Sequence, residues 1–312
     1  MRSVWSEIET ALGGRAVSGE LMSRHTTARA GGLADLFVEA TSANDLRDIV
    51  RLARQRRVPY FVLGGGSNIL VSDTGIRGLV ILNKARQIKY PIPNAKYQRV
   101  QAESGVILPT VARECTERGL GGLEWAIGVP GTVGGALVGN AGAHGSDMAH
   151  SLVSAKVLDA EDNVKDWSAQ ELQFGYRTSR LKSAISNQQS AISHPVVLEA
   201  EFELRRSTRE ECEARAAEFT EKRRRTQPPG ASLGSMFKNP PGDYAGRLIE
   251  AARLKGARVG NVEISPVHAN FFVNLGGASA MDIYSLICLA REQVRREFGV
   301  TLELEIELVG EW

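Results

Sequence analysis

Two glycine-rich segments contain the residue types and spacing that would suit ligand binding. The first, Gly64-Gly65-Gly66-Ser67-Asn68, follows the short apolar run Tyr60–Leu63. Consecutive backbone amides without side chains form a natural anion nest, and Ser67 and Asn68 add side-chain donors. The segment is neither a GxGxxG fingerprint nor a Walker loop, because no Gly-Lys-Ser/Thr follows. It therefore predicts either a phosphate site or a tight turn after a strand.

The second segment, 128–142, contains six glycines and one proline, and its polar side chains are those of Thr132 and Asn140. So many positions without a Cβ atom suit close packing against a flat or large group. The alternative interpretation is a compact hairpin or a tightly packed helix start. Two such segments in one chain favour an extended dinucleotide ligand.

The elements that must position these segments are a mixture of helices and short strands. Ser42 and Asp45 form a possible cap for a helix that precedes the strand Tyr60–Leu63. Helix-like and hairpin-like stretches do not alternate as a regular βαβ ladder, which indicates an α+β fold. The periodicity of apolar residues predicts helices over 108–118, 207–225, 244–253 and 279–298, and strands over 196–204, 270–274 and 301–309.

Composition excludes several classes of protein. A chain of 312 residues suggests about two domains, and 43% hydrophobic with 24% charged residues excludes a disordered chain. A net charge of +2 gives no reason to expect nucleic acid or an anionic membrane as a partner. The sequence has no apolar run of membrane-spanning length and no signal-peptide pattern at its start.

The cysteines and the metal-ligating residue types predict no disulfide framework and no divalent metal site. Cys115, Cys212 and Cys288 are far apart and form no CxxC pair. A reducing, cytoplasmic location is the simplest expectation for such a chain.

The sequence resembles the UDP-N-acetylenolpyruvoylglucosamine reductase family, flavoenzymes that make UDP-N-acetylmuramate for bacterial cell walls. The matching segments follow the family's order and are HTTARAGG (25–32), VLGGGSNILVSD (62–73), GLEWAIGVPGTVGGALVGNAGAHG (122–145), FGYRTSRLK (174–182), GSMFKNP (234–240), AGRLIEAARLKG (245–256), HANFFVN (268–274) and GVTLELEIELVG (299–310). The first four are shared with a wider FAD-binding fold. Leu181, Met236 and Pro266-Val267 depart from the family pattern, at positions without assigned chemistry.

The resemblance implies an α+β fold with two domains. An FAD-binding domain of the vanillyl-alcohol oxidase type would occupy 1–206, with subdomains of about 1–83 and 84–206. A C-terminal α+β substrate-binding domain would occupy 207–312. The length matches the shorter subclass of the family, which lacks an inserted unit with a substrate-covering tyrosine loop.

The resemblance also implies the reaction and its catalytic residues. NADPH would reduce non-covalently bound FAD, and the hydride would then pass to C3 of the enolpyruvyl ether of a UDP-sugar. Ser235 matches the proton donor to C2, Arg177 matches the conserved arginine that suits the substrate carboxylate, and Glu305 matches the catalytic carboxylate. From residue type alone, these would be a turn serine, a surface arginine and a member of an exposed strand face.

The resemblance likewise implies the contacts of FAD and of the substrate. The FAD pyrophosphate would lie on GGGSN, and the flavin would lie along the second glycine segment, 128–142. Tyr176, Lys238 and Asn239 would contact the substrate, and Arg223 either contacts the diphosphate or lies on a solvated helix end. We expect no nucleic acid or membrane partner and a monomer. The implied FAD contacts are Gly64, Gly65, Gly66, Ser67, Asn68, Ile69, Gly128, Pro130, Gly131, Thr132, Gly134, Gly135, Asn140, Ala141 and Gly142.

Two other functions fit part of the sequence. An FAD-dependent oxidase of the same wider fold would explain both glycine segments, but not GSMFKNP or the LELEIELVG ending. A nucleotide-binding regulatory protein would keep the pockets without chemistry, which Arg177, Ser235 and Glu305 argue against.

Overall fold

The computed structural model describes residues 4–91, 96–186 and 192–312. Within these ranges the helices are α1 (Val4–Ala11), α2 (Ala43–Gln55), α3 (Leu108–Glu117), α4 (Val133–Gly139), α5 (Arg180–Ser186), α6 (Arg209–Thr226), α7 (Ala245–Ala251) and α8 (Ala280–Phe298). The strands are β1 (Val17–Leu21), β2 (Leu33–Ala40), β3 (Tyr60–Leu63), β4 (Ile69–Val71), β5 (Ile76–Asn83), β6 (Ile88–Lys89), β7 (Tyr97–Glu103), β8 (Leu120–Gly121), β9 (Gly142–Ala143), β10 (Ser146–Asp147), β11 (Leu152–Leu158), β12 (Val164–Ser168), β13 (Val196–Arg206), β14 (Arg258–Val259), β15 (Val262–Ile264), β16 (Phe272–Asn274) and β17 (Glu307–Val309).

The chain folds into two compact units, each built from separate stretches of sequence. Unit 1 comprises the residues up to Ser18 together with Leu36–Gly65 and Gly78–Lys222. Unit 2 comprises Gly19–Asp35, Gly66–Arg77 and Arg223–Trp312. The chain therefore passes from unit 1 to unit 2 inside the first glycine segment, between Gly65 and Gly66.

Unit 1 contains a sheet in which β12, β11, β13, β7 and β6 are neighbours in that order, and β8 also pairs with β13. The long strand β13 lies in its middle, antiparallel to β11 and β7. Its alternating sequence buries Ala200, Phe202 and Leu204 in a core beneath α3 and α4. The predicted strand over 196–204 is present and extends two residues further.

The predicted helix and strand before the first glycine segment are present in unit 1. Ser42 caps α2, and its Oγ accepts the amide of Asp45 at 3.1 Å. Strand β3 runs parallel to β5, pairing Tyr60 with Leu79 and Leu63 with Leu82. The carboxyl end of this parallel strand leads directly into Gly64.

Unit 2 combines the antiparallel strands β14, β15 and β16 with the helices α7 and α8. Helix α8 begins with the predicted capping pair, since Ser279 Oγ accepts the amide of Asp282 at 3.0 Å. It ends at Gly299, whose φ of 69° suits a glycine. The buried face of α8 packs on the core that contains Leu248, Phe272 and Leu302.

The prediction of one continuous strand over 301–309 is wrong for its first half. Leu304 forms an isolated antiparallel bridge with Phe237, whereas β17 pairs in parallel with β4. The chain changes partner between these contacts and bends at residues 305–306. Alternation in the sequence is equally compatible with both partners, so it does not reveal the bend.

Within the described ranges, none of the helices is both long enough and apolar enough to cross a bilayer.

Candidate active site

The predicted cofactor residues are divided between the two units. Gly64 and Gly65 belong to unit 1, and the run Gly66–Ile69 belongs to unit 2. Ile69 is the first residue of β4. The residues from Gly128 to Gly142 lie in unit 1, on α4 and on the loops that precede and follow it.

The two glycine segments pack against each other in unit 1. A Cβ atom added at Gly64 would lie 2.5 Å from Thr132 Oγ1. One added at Gly65 would lie 2.9 Å from the Cα atom of Gly131. Both distances are shorter than real Cβ contacts, so a side chain at either position would force its neighbour to move.

The backbone amides of the loop before α4 differ from those of its first turn. The amides of Gly65, Gly128 and Gly131 donate a hydrogen bond to none of the described residues. In contrast, the amides of Val133 and Gly134 donate to the carbonyls of Val106 and Ser104 at 2.9 and 2.8 Å. The loop, and not the start of α4, therefore has donors available for an anionic ligand.

Asn140 connects the second glycine segment to the turn that carries Arg177. It ends α4 in the left-handed conformation, with a φ of 44°. Its side chain is buried, and Nδ2 donates to Gly175 O at 3.0 Å and to Asp147 Oδ2 at 3.1 Å. Asn140 therefore serves to hold this turn in place.

Arg177 lies in a tight turn of unit 1 closed by two backbone hydrogen bonds between Gly175 and Thr178, of 3.0 and 3.2 Å. Its φ of 56° is uncommon for a residue with a side chain. The guanidinium lies 5.3 Å from the ring centroid of Tyr176, which is exposed. The turn thus presents Tyr176 and Arg177 together.

Ser235 lies in unit 2 on an extended segment that pairs with the residues around Asn270. Ser235 forms a bridge with Phe271, and the amide of Met236 donates to Asn270 O at 2.8 Å. The Asn270 side chain bonds both backbone groups of Phe237, accepting from N at 2.9 Å and donating to O at 2.8 Å. These contacts fix the backbone on the carboxyl side of Ser235.

Glu305 is held against the other edge of the same segment. Its amide donates to Met236 O at 3.0 Å, and the amide of Lys238 donates to Glu303 O at 2.9 Å. The structure thus places the backbone of Glu305 beside the segment that carries Ser235, although the two residues are 70 positions apart in the sequence. Both side chains are half-buried.

The two predicted substrate residues of unit 2, Lys238 and Asn239, follow Ser235 closely in the sequence, and both have partners within this unit. Lys238 Nζ lies 3.4 Å from the exposed carboxylate of Glu303. The Oδ1 atom of Asn239 accepts the amide of Ala245 at 3.1 Å, at the first residue of α7. Asn239 thus also serves to start that helix.

Comparison with known proteins gives family models that match both parts of the chain. An FAD binding domain matches residues 34–168, and the C-terminal domain of UDP-N-acetylenolpyruvoylglucosamine reductase matches residues 226–309. UDP-N-acetylenolpyruvoylglucosamine reductase 2 of Symbiobacterium thermophilum is 42% identical over 300 residues, covering 95% of this chain and 93% of that protein. The chain belongs to the UDP-N-acetylenolpyruvoylglucosamine reductase family.

Other members of this reductase family match the chain over a similar extent. The reductase of Rubrobacter xylanophilus is 44% identical over 296 residues, covering 94% of each chain. The crystal structure of the reductase from Thermus caldophilus is 35% identical, with a TM-score of 0.77 over 95% of this chain and 98% of that one. The expected α+β fold, with an FAD-binding domain and a reductase C-terminal domain, is confirmed.

FAD is the cofactor of this reductase family member, and the residues of unit 1 fit it. The amides of Gly65, Gly128 and Gly131, which bond to none of the described residues, can donate hydrogen bonds to a diphosphate. The close approach of Gly65 to Gly131 leaves no room for side chains where these amides lie.

Gly65→Ala tests this arrangement. We expect it to lower the free energy of unfolding by about 1–3 kcal/mol, because its Cβ would push the Gly131 backbone away. The displaced amides should also weaken FAD binding, measured by flavin fluorescence titration of the apoprotein. Gly139→Ala is the matched control for stability, since a Cβ there would meet nothing within 4 Å. Equal unfolding transitions for both variants would contradict this packing.

Asn270 fixes the backbone next to Ser235 and was not among the predicted site residues. Its exposed fraction is 3%, and each of its polar groups has a hydrogen-bond partner, including the amide, which donates to His268 Nδ1 at 3.2 Å. The available signal was an amide side chain within the apolar run HANFFVN. A buried asparagine there must bond to nearby backbone.

The partly buried side chain of His268 should make the stability of the protein depend on pH. Burial lowers the pKa of His268, and Lys255 acts in the same direction while Glu250 opposes it. The unfolded state therefore binds more protons below about pH 6.5, and stability decreases as the pH falls through this window.

His268 can change the free energy of unfolding by at most about 1.4 kcal/mol per pH unit. We expect His268→Gln to reduce the slope of unfolding free energy between about pH 5 and 6.5, the window set by the unperturbed imidazole. His194, whose pKa is also lowered by burial, contributes in the same window and serves as the comparison. A His268 resonance that titrates above the ordinary value in NMR would contradict this assignment.

Proposed function

We propose that this chain reduces UDP-N-acetylglucosamine enolpyruvate to UDP-N-acetylmuramate, with NADPH as hydride donor. The observation that carries the proposal is the hydrogen bond from the Glu305 amide to the carbonyl of Met236, the residue next to Ser235, inside the part of the chain that the reductase C-terminal model matches. Bound FAD supplies the capacity to accept a hydride from NADPH and to pass it to the enolpyruvyl carbon. The residues of this chain must bind the substrate carboxylate and deliver a proton.

Ser235 is the proposed proton donor to C2 of the substrate. A serine hydroxyl is a poor acid at neutral pH, but the enolate carbon is strongly basic. Proton transfer from a positioned group then contributes to the rate. The hydrogen bonds from Asn270 on one side of the segment and from Glu305 on the other support this role, because they restrict where the hydroxyl can lie.

Arg177 is the proposed partner of the substrate carboxylate, into which negative charge spreads as the enolate forms. Its planar guanidinium can donate two parallel hydrogen bonds to a carboxylate, and these strengthen as charge develops. The turn held by Asn140 supports this role because it restricts the backbone at Arg177. Tyr176, Lys238 and Asn239 are the proposed further contacts of the UDP-sugar.

Glu305 is the proposed second polar group of the reacting end. Its carboxylate would polarise the enol system together with Arg177 or stabilise protonated intermediates. We further infer that the protein is a monomeric, cytoplasmic enzyme that supplies a cell-wall precursor. Through this precursor it would contribute to cell division and cell shape. The scattered cysteines support that compartment.

The visible spectrum of the purified protein tests the function. Under anaerobic conditions, we expect NADPH to bleach the yellow flavin. Colour should return on addition of UDP-N-acetylglucosamine enolpyruvate, with UDP-N-acetylmuramate as product. A protein that bleaches but ignores this substrate would overturn the proposed substrate, and hydrogen peroxide formed from an alcohol substrate would favour an oxidase. Repeating the experiment with NADH in place of NADPH tests which of the two nucleotides donates the hydride.

A further inference from the structure

The last residue of GGGSN bonds to the segment of Glu305. Asn68 Nδ2 donates to the backbone carbonyl of Glu305 at 3.1 Å. The backbone carbonyl of Asn68 accepts the amide of Glu307 at 2.9 Å. Both contacts lie within unit 2, and a single residue thus bonds two positions of the terminal segment.

These two bonds come at the point where regular pairing begins. The parallel ladder of β4 with β17 starts at the pair Ile69 and Glu307. Residues 305 and 306 form the bend that precedes it. The Asn68 side chain therefore supplies a hydrogen bond to the bend, beyond the end of the ladder.

The backbone of Glu305 is held at both its polar groups. Its amide donates to Met236 O at 3.0 Å, and its carbonyl accepts from Asn68 Nδ2. The first bond ties Glu305 to the segment of Ser235, and the second ties it to the first glycine segment. The direction of the Glu305 side chain is set by the peptide units on either side of its Cα, so loss of one bond lets the side chain turn.

We propose that Asn68 is a positioning residue for Glu305, and that its side chain does not serve as a cofactor ligand. The role requires an N–H donor at this length: aspartate would present an oxygen to the Glu305 carbonyl, and alanine or serine cannot reach it. The inference rests on the proposed function, because it assumes that Glu305 contributes to substrate reduction.

The test separates flavin binding, flavin reduction and substrate reduction in Asn68→Ala and Asn68→Asp. We expect the Kd for FAD, from fluorescence titration of the apoprotein, and the rate of anaerobic flavin reduction by NADPH to stay within about threefold of wild type. The rate at which the enolpyruvyl substrate reoxidises the flavin should fall about 10- to 100-fold, as for a misplaced catalytic group.

Coupling to Glu305 is measured by a double-mutant cycle on the reoxidation rate. In a Glu305→Gln background, Asn68→Ala should cause little further loss, because the group that Asn68 positions is already changed. An unrelated structural effect would multiply with that of Glu305→Gln. Full multiplication of the two effects would therefore overturn the proposal.

Asn274→Ala is the matched control. Its buried amide also donates to a backbone carbonyl of unit 2, that of Ala28, at 2.8 Å. We expect it to reduce stability without changing the ratio of the two half-reaction rates. If Asn68→Ala does not fold, Asn68→Ser takes its place, since it removes the same donor and keeps a polar side chain.

Two further results would overturn the proposal. A rise of about tenfold or more in the Kd for FAD would make the Asn68 side chain a cofactor ligand. An equal fall in both half-reaction rates would show no selective effect through Glu305. If wild-type protein itself fails to reduce the enolpyruvyl substrate, the proposed function is wrong, which is a distinct outcome from either of these.

Discussion

Ser235→Ala should slow the reoxidation of reduced flavin by UDP-N-acetylglucosamine enolpyruvate by about 10²- to 10⁴-fold. The variant lacks the proposed proton donor to C2, whereas flavin reduction by NADPH needs no such proton. Anaerobic stopped-flow absorbance of the flavin measures the two half reactions separately. The backbone at position 235 should be unaffected, because its neighbours Met236 and Phe237 hold the segment through their backbone groups.

Ser279→Ala provides a matched loss of a serine hydroxyl in the same unit. Ser279 caps α8, so its replacement should reduce stability by about 1 kcal/mol and leave the half-reaction rates unchanged. Wild-type reoxidation in Ser235→Ala would refute the assignment of Ser235. Equal slowing of both half reactions would instead indicate a disturbed flavin site.

Arg177→Lys should reduce kcat/KM for the enolpyruvyl substrate on the order of 10²-fold, since lysine keeps the charge but loses the paired donors. The defect should be larger in the reoxidation rate than in substrate binding, because the carboxylate gains charge as the enolate forms. Steady-state kinetics and single-turnover reoxidation together distinguish these effects.

Arg180→Lys is the control for this substitution. Arg180 is exposed, and its guanidinium lies over the Trp167 ring, 4.6 Å from the centroid. It lies three residues from Arg177 in the sequence and is expected to tolerate lysine with little change in kcat/KM. Similar kinetics for both variants would mean that Arg177 does not contact the substrate carboxylate.

Much of the fold could be predicted from local sequence signals. Ser42, Ser279 and Gly299 mark the ends of α2 and α8 because caps satisfy backbone groups that the helix itself leaves unbonded. The alternation in β13 is visible because one face of that strand packs on the core. These features depend on residues close in sequence, which a single chain displays directly.

The candidate site was less accessible to prediction because several of its residues act through distant partners. Gly64 and Gly65 suggested ligand access, yet their nearest neighbours are Thr132 and Gly131, more than 60 residues away. Asn68 was predicted as a cofactor contact, and nothing near it in the sequence indicated the hydrogen bond from its side chain to the backbone carbonyl of Glu305. The predicted roles of Arg177, Ser235 and Glu305 came from family resemblance and remain predictions.

The pairing of β4 with β17 has a consequence for how the chain folds during its synthesis. Residues 69–71 pair with residues 307–309, so their parallel ladder closes only after residues 307–309 have been synthesised. Unit 1 ends at Lys222, so all of its residues have been made well before those of β17. Closing such a long loop is entropically costly and makes folding slow. A nascent chain halted before residue 305 would therefore still lack both residues to which Asn68 bonds, Glu305 and Glu307.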